Sequence, residues 1–450
     1  MFQKILIANR GEIALRIIRT CKEMGIRTVA VHSTVDSDSL HVRFADESIC
    51  IGPAASKESY LNIPRLMSAA DVAQVDAIHP GYGFLAENVE FAEVCKQSGV
   101  VFIGPTPENM RTMGNKIEAR EAARKAGLPL VPGSTLLNDE KAGRAFAKEV
   151  GYPVIVKAAA GGGGKGMKIV RADAAFSNAF STAKAEAMAS FGNGDLYVEK
   201  YIENPRHVEF QVVADNYGEV VVLGERDCSI QRRHQKLVEE SPCPVLTERA
   251  RSRMSATIIT ALKKLKYRNV GTIEFLMDPK GNLYFIEMNT RIQVEHPVTE
   301  MVTGLDLIRT QIEMAAGEKM KSEVKNAILT GHSIECRITA EDPETFRPSP
   351  GRITGYHAPG GRHVRVDSAV CDGYFVAPNY DSMLAKLIVY GKDRNEAIRR
   401  MQRALDEFIV EGIKTNIPLQ KRILAHPKFI SGDVDTSFLE KNLLGAIQAA

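Results

Sequence analysis

One stretch decides the fold of this chain: Gly271-Thr-Ile-Glu-Phe-Leu-Met277, then Asp278-Pro-Lys-Gly-Asn282, then Leu283-Tyr-Phe-Ile-Glu-Met-Asn289. The two outer segments are rich in β-branched and aromatic residues, which is typical of strands. The middle segment has the composition of a turn. A hairpin centred on Lys280-Gly281 pairs residue 279 with residue 282. Five rungs further, the same register pairs Glu274 with Glu287.

Two opposed carboxylates on this hairpin predict a cation site. Directly opposite residues have Cβ atoms roughly 5 Å apart, and like charges there destabilise a sheet. Asn289 has the parity of Glu287 and therefore projects to the same face. Oxygen ligands favour a hard ion such as Mg²⁺ held against phosphates. The alternative is a solvated outer face that carries ordinary surface glutamates.

Composition places the chain among globular proteins. Its 450 residues predict about three domains, and 44% apolar and 25% charged residues are average values. A net charge of +3 does not indicate a nucleic-acid surface, and the seven cysteines show no CxxC spacing for zinc. The N-terminus is charged too early for a secretory segment, and no run reaches ~20 apolar residues. We therefore expect a cytoplasmic protein that binds neither membrane nor nucleic acid.

Strand and helix patterns alternate at the N-terminus. Ile5–Ala8 and Thr28–Val31 are predicted strands, and a helix between them has Ala14, Ile17, Ile18 and Cys21 on one face. This βαβ unit predicts a doubly wound, Rossmann-like domain. The turn Asn9-Arg-Gly11 is not a GxGxxG fingerprint, so dinucleotide binding is not supported. Further strands are predicted near 154–157, 167–170, 196–200, 207–214, 219–224 and from 332, with helices over 114–127 and near 248–266, 394–409 and 416–425.

A glycine-rich loop joins two predicted strands. Lys157 ends the first strand, Ala158-Ala-Ala-Gly-Gly-Gly-Gly-Lys-Gly166 follows, and Met167 begins the second strand. Consecutive glycines let backbone N–H groups close on anionic oxygens. A Walker A loop requires Gly-Lys-Ser/Thr before a helix, so that assignment fails. We predict a flexible flap over phosphates; the alternative is a linker.

Polar residues alternate after the hairpin, at Glu287, Asn289, Arg291, Gln293 and Glu295. In an extended chain all five share one face, although a surface strand can alternate in the same way. Arginine beside glutamate suits a small planar oxyanion whose proton the carboxylate accepts. By themselves Lys116, Arg337 and the basic run Gln231–Lys236 indicate little.

Six segments together resemble the ATP-grasp superfamily, and specifically its biotin carboxylases. They are Ile7–Ala14, His79–Asn88, the glycine flap, Glu287–Glu300, Arg347-Pro-Ser-Pro-Gly351 and Tyr380-Asp-Ser-Met-Leu-Ala-Lys386. The resemblance covers nearly the whole chain. It implies an α/β and α+β fold with a doubly wound N-terminal domain (1–114), an ATP-grasp domain (115–330, with a mobile glycine-rich lid at about 131–203) and a C-terminal mixed β/α domain (331–450).

The resemblance also implies roles for individual residues. ATP would be bound by Lys116, Lys157, Gly161, Gly162, Gly163, Gly164, Lys165, Gly166, Met167, Glu199, Lys200, Ile202, His207, Gln231, His234, Leu276, Glu274 and Glu287. Metal would be held by Glu274, Glu287 and Asn289, and bicarbonate by Lys236, Arg291, Gln293, Val294 and Glu295. Biotin would lie near Tyr82, Arg337 and Asp381. The catalytic set would be Arg291, Glu295, Arg337 and Lys236, with Glu295 as the base for bicarbonate and Arg337 stabilising the biotin enolate.

The implied reaction is ATP-dependent carboxylation of biotin on a carrier protein by bicarbonate, through carboxyphosphate. It would use two Mg²⁺ ions, with Mn²⁺ as a substitute. The chain has no biotinyl-lysine motif and no room for a carboxyltransferase, so we expect both on separate subunits. Acetyl-CoA carboxylase, which supplies malonyl-CoA for fatty acid synthesis, is the expected setting; a pyruvate or another acyl-CoA carboxylase is the alternative. The family also implies a homodimer, with Arg16, Arg19 and Glu23 at its contact. The flap departs from the family pattern because Lys165 stands where arginine is usual, which removes bidentate geometry.

Two rival functions differ from this one. Another ATP-grasp ligase, such as a carbamoyl-phosphate synthase-like or amino-acid ligase, would act on a different substrate, although a carbamoyl-phosphate synthase would show two homologous halves and this chain has no repeat. A catalytically silent nucleotide-binding subunit should have lost some of Glu274, Glu287, Arg291, Glu295 and Arg337, yet all are present.

Overall fold

The computed structural model describes residues 1–137, 139–159 and 166–444, without the side chains of residues 116 and 117. The predicted flap residues Gly161, Gly162, Gly163, Gly164 and Lys165 therefore lie outside the described residues, as does the side chain of Lys116. Among the described helices, none is both long and apolar enough to cross a membrane.

The N-terminal region is a parallel sheet with helices on both faces. Its elements are β1 (Lys4–Ile7), α1 (Gly11–Glu23), β2 (Arg27–Ser33), α2 (Leu40–Phe44), β3 (Glu47–Gly52), α3 (Ile63–Ala73), β4 (Ala77–His79), α4 (Val89–Gln97) and β5 (Val101–Phe102). The strand order is β3-β2-β1-β4-β5, and every pair is parallel. This confirms the doubly wound prediction. The order reverses between β1 and β4, and ligands of such sheets bind at that point.

Helix α1 is more deeply buried than its amphipathic pattern predicts. Arg16 is 7% exposed, and its guanidinium donates to Glu300 and Asp306, each at 2.8 Å. Arg16 is therefore buried within the chain, because two distant carboxylates cover it. Arg19 and Glu23 are exposed.

A small module follows two connecting helices. The elements are α5 (Pro107–Gly114), α6 (Lys116–Ala126), α7 (Glu140–Val150), β6 (Val154–Ala158), β7 (Met167–Val170), α8 (Phe176–Phe191) and β8 (Leu196–Lys200). The antiparallel order β7-β6-β8 confirms the three predicted strands. Phe176 and Phe180 pack beneath this sheet with Val154 and Val198, so the module has its own core.

An eight-stranded sheet forms the largest layer. Its first part and the helices that accompany it are β9 (Arg206–Ala214), β10 (Val220–Arg232), β11 (Gln235–Ser241), α9 (Glu248–Lys264), β12 (Asn269–Met277), β13 (Leu283–Asn289), α10 (His296–Thr303), α11 (Leu307–Ala315) and α12 (Ser322–Lys325). Its second part contains β14 (His332–Thr339), β17 (Val364–Ser368) and β19 (Met383–Gly391). The strand order is β13-β12-β9-β10-β11-β14-β19-β17. Because β11 pairs with β14, one sheet continues into the C-terminal region.

The C-terminal region adds two short ribbons and a helical layer. The elements are β15 (Gly351–Arg352), β16 (Gly355–His357), β18 (Phe375–Val376), α13 (Arg394–Glu407), β20 (Ile409–Glu411), α14 (Ile417–Ala425) and α15 (Pro427–Ser431). Leu387 and Val389 of the sheet pack against Met401 and Leu405 of α13 in one apolar core.

The register of the β12–β13 hairpin differs from the prediction at the turn and agrees with it at the site. Asp278 pairs with Asn282, because its Oδ1 accepts from the backbone N–H of Lys280 and Asn282 at 2.9 Å each. The predicted 279–282 pair is therefore wrong by one residue. A bulge at Ile286, between the Phe275–Phe285 and Glu274–Glu287 pairs, shifts the register by one residue and brings it back to the predicted one. The predicted Glu274–Glu287 pair is confirmed.

Candidate active site

The parallel sheet, the three-stranded sheet of the small module and the eight-stranded sheet meet around a cavity of about 1070 Å³. It lies beside the reversal point of the parallel sheet, where the Asn9 amide donates to the carbonyls of Pro80 and Tyr82 at 2.8 and 2.7 Å. Most of the predicted site residues line it: Tyr82, Lys157, Met167, Glu199, Lys200, Ile202, His207, Gln231, His234, Lys236, Glu274, Leu276, Glu287, Asn289, Arg291, Gln293, Val294, Glu295, Arg337 and Asp381. Gly166 is described but is not among the lining residues. Tertiary structure thus brings together residues from every region of the chain.

Lys236 is the centre of an ionic cluster on the cavity wall. Its Nζ lies 2.6 Å from Glu209, 3.1 Å from Glu274 and 2.6 Å from Glu295. The Lys236 side chain is 11% exposed, and burial alone would lower its pKa, but the three carboxylates raise the pKa well above its ordinary value. Lys236 is therefore a permanent positive charge at this wall.

Glu274 is held ionised by its neighbours. Oε1 accepts from Asn289 at 2.9 Å and from Gln293 at 3.0 Å, and Oε2 lies 3.0 Å from Nε2 of His207. Burial raises the pKa of Glu274, but Lys236 and His207 outweigh it and hold the pKa well below its usual range. Lys236 thus supplies a positive charge beside the carboxylate pair, so the pair does not require a metal ion to be tolerated in the sheet.

Arg291 lies beyond the end of the hairpin strand but still contacts other predicted site residues. The strand ends at Asn289, so the expected extended course as far as Glu295 is wrong. Arg291 nevertheless donates to Asn289 at 2.9 Å, to Gln293 at 2.7 Å and to Glu87 at 2.9 Å. These bonds hold the guanidinium plane at the cavity rim, which suits a planar anion.

Arg337 bridges two buried carboxylates. Its Nε donates to Glu239 at 2.6 Å, and Nη2 donates to Glu295 at 2.9 Å. Burial raises the pKa of Glu295, but Lys236 and Arg337 reverse this and hold the pKa well below its ordinary value. Glu295 is therefore a carboxylate in this state and can accept a proton, although its two cationic partners make it a weak base.

At one end of the cavity the three-stranded module presents Lys157 and Glu199. Lys157 Nζ donates to Glu199 at 2.6 Å, and Arg120 donates to the other oxygen of the same carboxylate. Lys200 donates to the carbonyls of Gly151 and Tyr152, at 2.8 and 3.0 Å. Lys200 is thus tied to the module rather than directed freely into the cavity.

At the other end Tyr82 contacts residues that the sequence analysis missed. Its hydroxyl donates to Glu12, and the fully buried Lys386 lies 3.1 Å from the same oxygen. Lys386 also donates to the carbonyl of Val294 at 3.0 Å. Asp381 Oδ1 accepts from the N–H of Met383 at 2.9 Å, so this carboxylate also stabilises a turn.

Glu209 and Arg226 were also missed. Arg226 is fully buried and donates to Glu209 at 2.5 Å, and Glu209 is the direct cross-strand partner of Glu274. The polar alternation of His207, Glu209 and Gln211 along β9 is a signal in the sequence that could have found the strand face, but not the partners.

The residues fit a divalent cation at the predicted position. Glu274 and Glu287 are directly opposite on adjacent strands, and both line the cavity with Asn289. Glu274 is ionised, as an oxygen ligand of Mg²⁺ must be. A second acidic group, formed by His207, Glu209 and Glu274, has its ligand atoms within 4.8 Å of one another, but the Lys236 ammonium already contacts two of its members.

Comparisons with known proteins agree with this geometry. The model for the biotin carboxylase N-terminal domain matches residues 1–110, that for the carbamoyl-phosphate synthase L chain ATP binding domain matches 115–323, and that for the biotin carboxylase C-terminal domain matches 335–441. The fold and site therefore define an enzyme with an ATP-grasp central region. The two flanking models exclude a carbamoyl-phosphate synthase assignment.

Individual relatives lead to the family. A biotin carboxylase of Nostoc sp. is 56% identical over 442 residues, which is 98% of this chain and 99% of the relative. A biotin carboxylase of Haemophilus influenzae is 56% identical over 445 residues, with the same coverage. The chain belongs to the biotin carboxylase family and is an enzyme of that kind.

Solved structures with bound ligands are also similar. A Campylobacter jejuni biotin carboxylase, in a structure described as a βγ-ATP complex, superposes with a TM-score of 0.94 at 51% identity, over 98% of this chain and 99% of that one. The biotin carboxylase domain dimer of Hydrogenobacter thermophilus 2-oxoglutarate carboxylase, with MgADP, ADP and bicarbonate, has a TM-score of 0.91 at 49% identity and 98% coverage of both chains. A biotin carboxylase subunit of pyruvate carboxylase has a TM-score of 0.88 at 48% identity and 99% coverage of both.

Proposed function

We propose that this enzyme uses MgATP and bicarbonate to carboxylate biotin carried on a separate protein, through carboxyphosphate. The observation that carries the proposal is the chain of contacts Lys236–Glu295–Arg337. These three residues line the cavity, and Lys157 and Tyr82 line it too. An anion bound there would contact cations, a carboxylate base and both neighbouring substrates.

The nucleotide would lie at the Lys157 end. Lys157 and His234 would contact phosphates, with Lys116 and the flap as further contacts. Glu199, Lys200, Ile202, His207, Gln231 and Leu276 would surround the base and ribose. The model for an ATP binding domain, which matches residues 115–323, supports the assignment.

Glu274, Glu287 and Asn289 would hold two Mg²⁺ ions, or Mn²⁺ in their place. When bound, these ions would neutralise charge on the transferred phosphoryl group. The low pKa of Glu274 keeps this ligand ionised without any ion present. The cross-strand pair then offers oxygens from two strands to one side of the cavity.

Bicarbonate would bind to Lys236, Arg291, Gln293 and the backbone of Val294. An incoming anion competes with Glu295 for Lys236, which contacts that carboxylate at 2.6 Å. As this cation turns towards the anion, the pKa of Glu295 rises towards its ordinary value. Substrate binding would thus make Glu295 a stronger base at the moment when it must accept the proton of bicarbonate.

Biotin would occupy the end near Tyr82, Arg337 and Asp381. The Arg337 guanidinium would stabilise negative charge on the ureido oxygen. Tyr82 stays a neutral phenol there, because burial and then Glu12 raise its pKa well above the ordinary value. The single proton of the Tyr82 hydroxyl already goes to Glu12, so Arg337 would donate to biotin and the phenol oxygen of Tyr82 can only accept a hydrogen bond.

The carboxyl acceptor and the assembly follow from similarity. We propose acetyl-CoA carboxylase, with separate carrier and carboxyltransferase subunits, as the setting in the cytoplasm. The likeness to domains of 2-oxoglutarate and pyruvate carboxylases keeps another acceptor as the second candidate. A homodimer is supported by the dimer in one of those structures. The ranges 1–114, 115–330 and 331–450 remain our proposed domains.

ATP hydrolysis tests the function directly. We expect ADP release that requires bicarbonate and Mg²⁺ and rises when free biotin is added. Activity that depends instead on ammonia or an amino acid would favour another ligase. No turnover with any of these substrates would favour a nucleotide-binding subunit without catalysis. Co-purification of a carrier protein and a carboxyltransferase would identify the acceptor.

A further inference from the structure

Two glutamates behind Arg337 have no assigned role. Glu239 on β11 and Glu335 on β14 are direct cross-strand partners, and both are 0% exposed. Side chains directly opposite one another lie on the same face of the sheet. Oε1 of Glu239 accepts from Arg337, but Oε2 of Glu239 and both carboxylate oxygens of Glu335 have no hydrogen-bond partner among the residues that the structure describes.

Two directly opposed carboxylates in a fully buried position cannot both be ionised. Desolvation alone costs several kcal/mol for each buried ion, and like charges at this separation repel. The neighbours do not supply one cation for each. Arg337 is already divided between Glu239 and Glu295, while Lys386 contacts Glu12 and the carbonyl of Val294.

We propose that the pair carries a single proton, on Glu335, and that Glu239 and Glu335 act as positioning residues that keep the Arg337 guanidinium directed at the substrate side of the cavity. With one proton present, Glu239 binds Nε of Arg337 without drawing the guanidinium away from Glu295. With none, a doubly charged pair would pull Arg337 back into the sheet. The proposal rests on the role of Arg337 in the proposed function.

Electrostatics supports this division of roles. Burial raises the pKa of Glu335 well above its ordinary value and raises that of Glu239 to about 7. Charged and titratable groups from several elements interact with the pair: Lys236 on β11, Arg337 and Cys336 on β14, Lys386 on β19, Cys228 on β10, Glu295 just before α10, and Tyr82 from the N-terminal region. The proton therefore resides mainly on Glu335.

Two isosteric substitutions separate these roles, and each is the control for the other. Glu335→Gln mimics the protonated acid, so we expect biotin carboxylation within about twofold of the native enzyme. Glu239→Gln removes the charge that orients Arg337, so we expect kcat for biotin carboxylation to fall by up to about 10²-fold. ATP cleavage with bicarbonate but without biotin should change much less in both variants.

The pH profile is a readout that a merely structural role would not move. In the native enzyme, loss of the Glu335 proton at alkaline pH should lower biotin carboxylation. This alkaline decrease should be absent from Glu335→Gln, which cannot ionise. An unchanged profile in Glu335→Gln, or equal kcat losses in the two variants, would overturn the proposal.

Infrared spectroscopy tests the proton without any assay of activity. The native protein should show the carbonyl stretch of a protonated carboxylic acid, and Glu335→Gln should lose it. If that band is not lost, Glu335 does not carry the proposed proton. Should the native enzyme lack bicarbonate-dependent ATP cleavage, the proposed function fails, whereas the infrared result still decides the protonation. Should Glu239→Gln fail to fold, the spectrum and pH profile of Glu335→Gln decide the inference.

Discussion

Replacing Lys236 by methionine tests the ionic cluster most directly. The substitution keeps an unbranched side chain and removes the charge that lies 2.6, 3.1 and 2.6 Å from Glu209, Glu274 and Glu295. Removing one partner from a buried ion pair costs about 3–5 kcal/mol, because the other charge is left uncompensated. Although Lys236 contacts three carboxylates, the loss of stability should not be three times as large. Arg226 still contacts Glu209, and Arg337 still contacts Glu295. We therefore expect the free energy of unfolding to fall by about 3–5 kcal/mol.

The sign of the pH dependence follows from the carboxylates. Lys236 helps to hold the pKa values of Glu274 and Glu295 below their ordinary values in the folded state. Groups with a depressed folded pKa stabilise the protein above the unfolded pKa, and this stability is lost as pH falls through the folded pKa. Without Lys236 these carboxylates protonate more readily. The deficit of Lys236→Met should therefore be larger near about pH 8 than near about pH 5.

Urea unfolding followed by tyrosine fluorescence is a suitable assay, because the chain has 12 tyrosines and no tryptophan. The control is Lys125→Met, since Lys125 is 71% exposed and lies 3.4 Å from Glu121. Exposed pairs contribute about 0–1 kcal/mol, so the control should stay near the native value. If Lys236→Met were as stable as this control near neutral pH, the cluster would not have the energetic role argued from its distances.

Two further predictions concern catalysis. Glu287→Gln should lower Mg²⁺-dependent turnover by several orders of magnitude with little change in the urea midpoint. The reason is that the half-buried side chain keeps its shape and loses the charge of a proposed metal ligand. Near-normal turnover would remove Glu287 from the metal site. Arg337→Met should lower biotin carboxylation more than bicarbonate-dependent ATP cleavage, because the guanidinium is proposed to act on biotin, and equal losses in the two assays would contradict that role.

Much of the local structure could be predicted from sequence. The parallel βαβ start, the strands of the small module and the β12–β13 hairpin all follow from apolar periodicity and turn residues. The pairing of Glu274 with Glu287 was predicted correctly although the turn register was not. A bulge at Ile286 compensated for a turn that is one residue longer than predicted, and periodicity cannot reveal a bulge.

The strand β11 shows the limit of that approach. Its sequence Gln235-Lys-Leu-Val-Glu-Glu-Ser241 reads as charged surface, yet Glu239 and Glu240 are buried at the centre of the eight-stranded sheet. Their charges are met by Arg337 and Arg394, which are 98 and 154 residues away in the chain. Strand propensity and local pattern depend only on residues that are close in the sequence. A buried acidic residue whose partner is distant in the chain therefore has the same local sequence signal as a solvent-exposed one.

The sequence by itself determined the element types, the hairpin carboxylates and, through family resemblance, the residues that gather around the cavity. Tertiary structure alone decided which charges are shared: Lys236 among three carboxylates, Arg337 between two, and Lys386 between Glu12 and the carbonyl of Val294. The physical reason is that ionisation and hydrogen bonding inside a protein depend on desolvation and on partners within a few ångströms, and those partners are brought together only when distant strands pair.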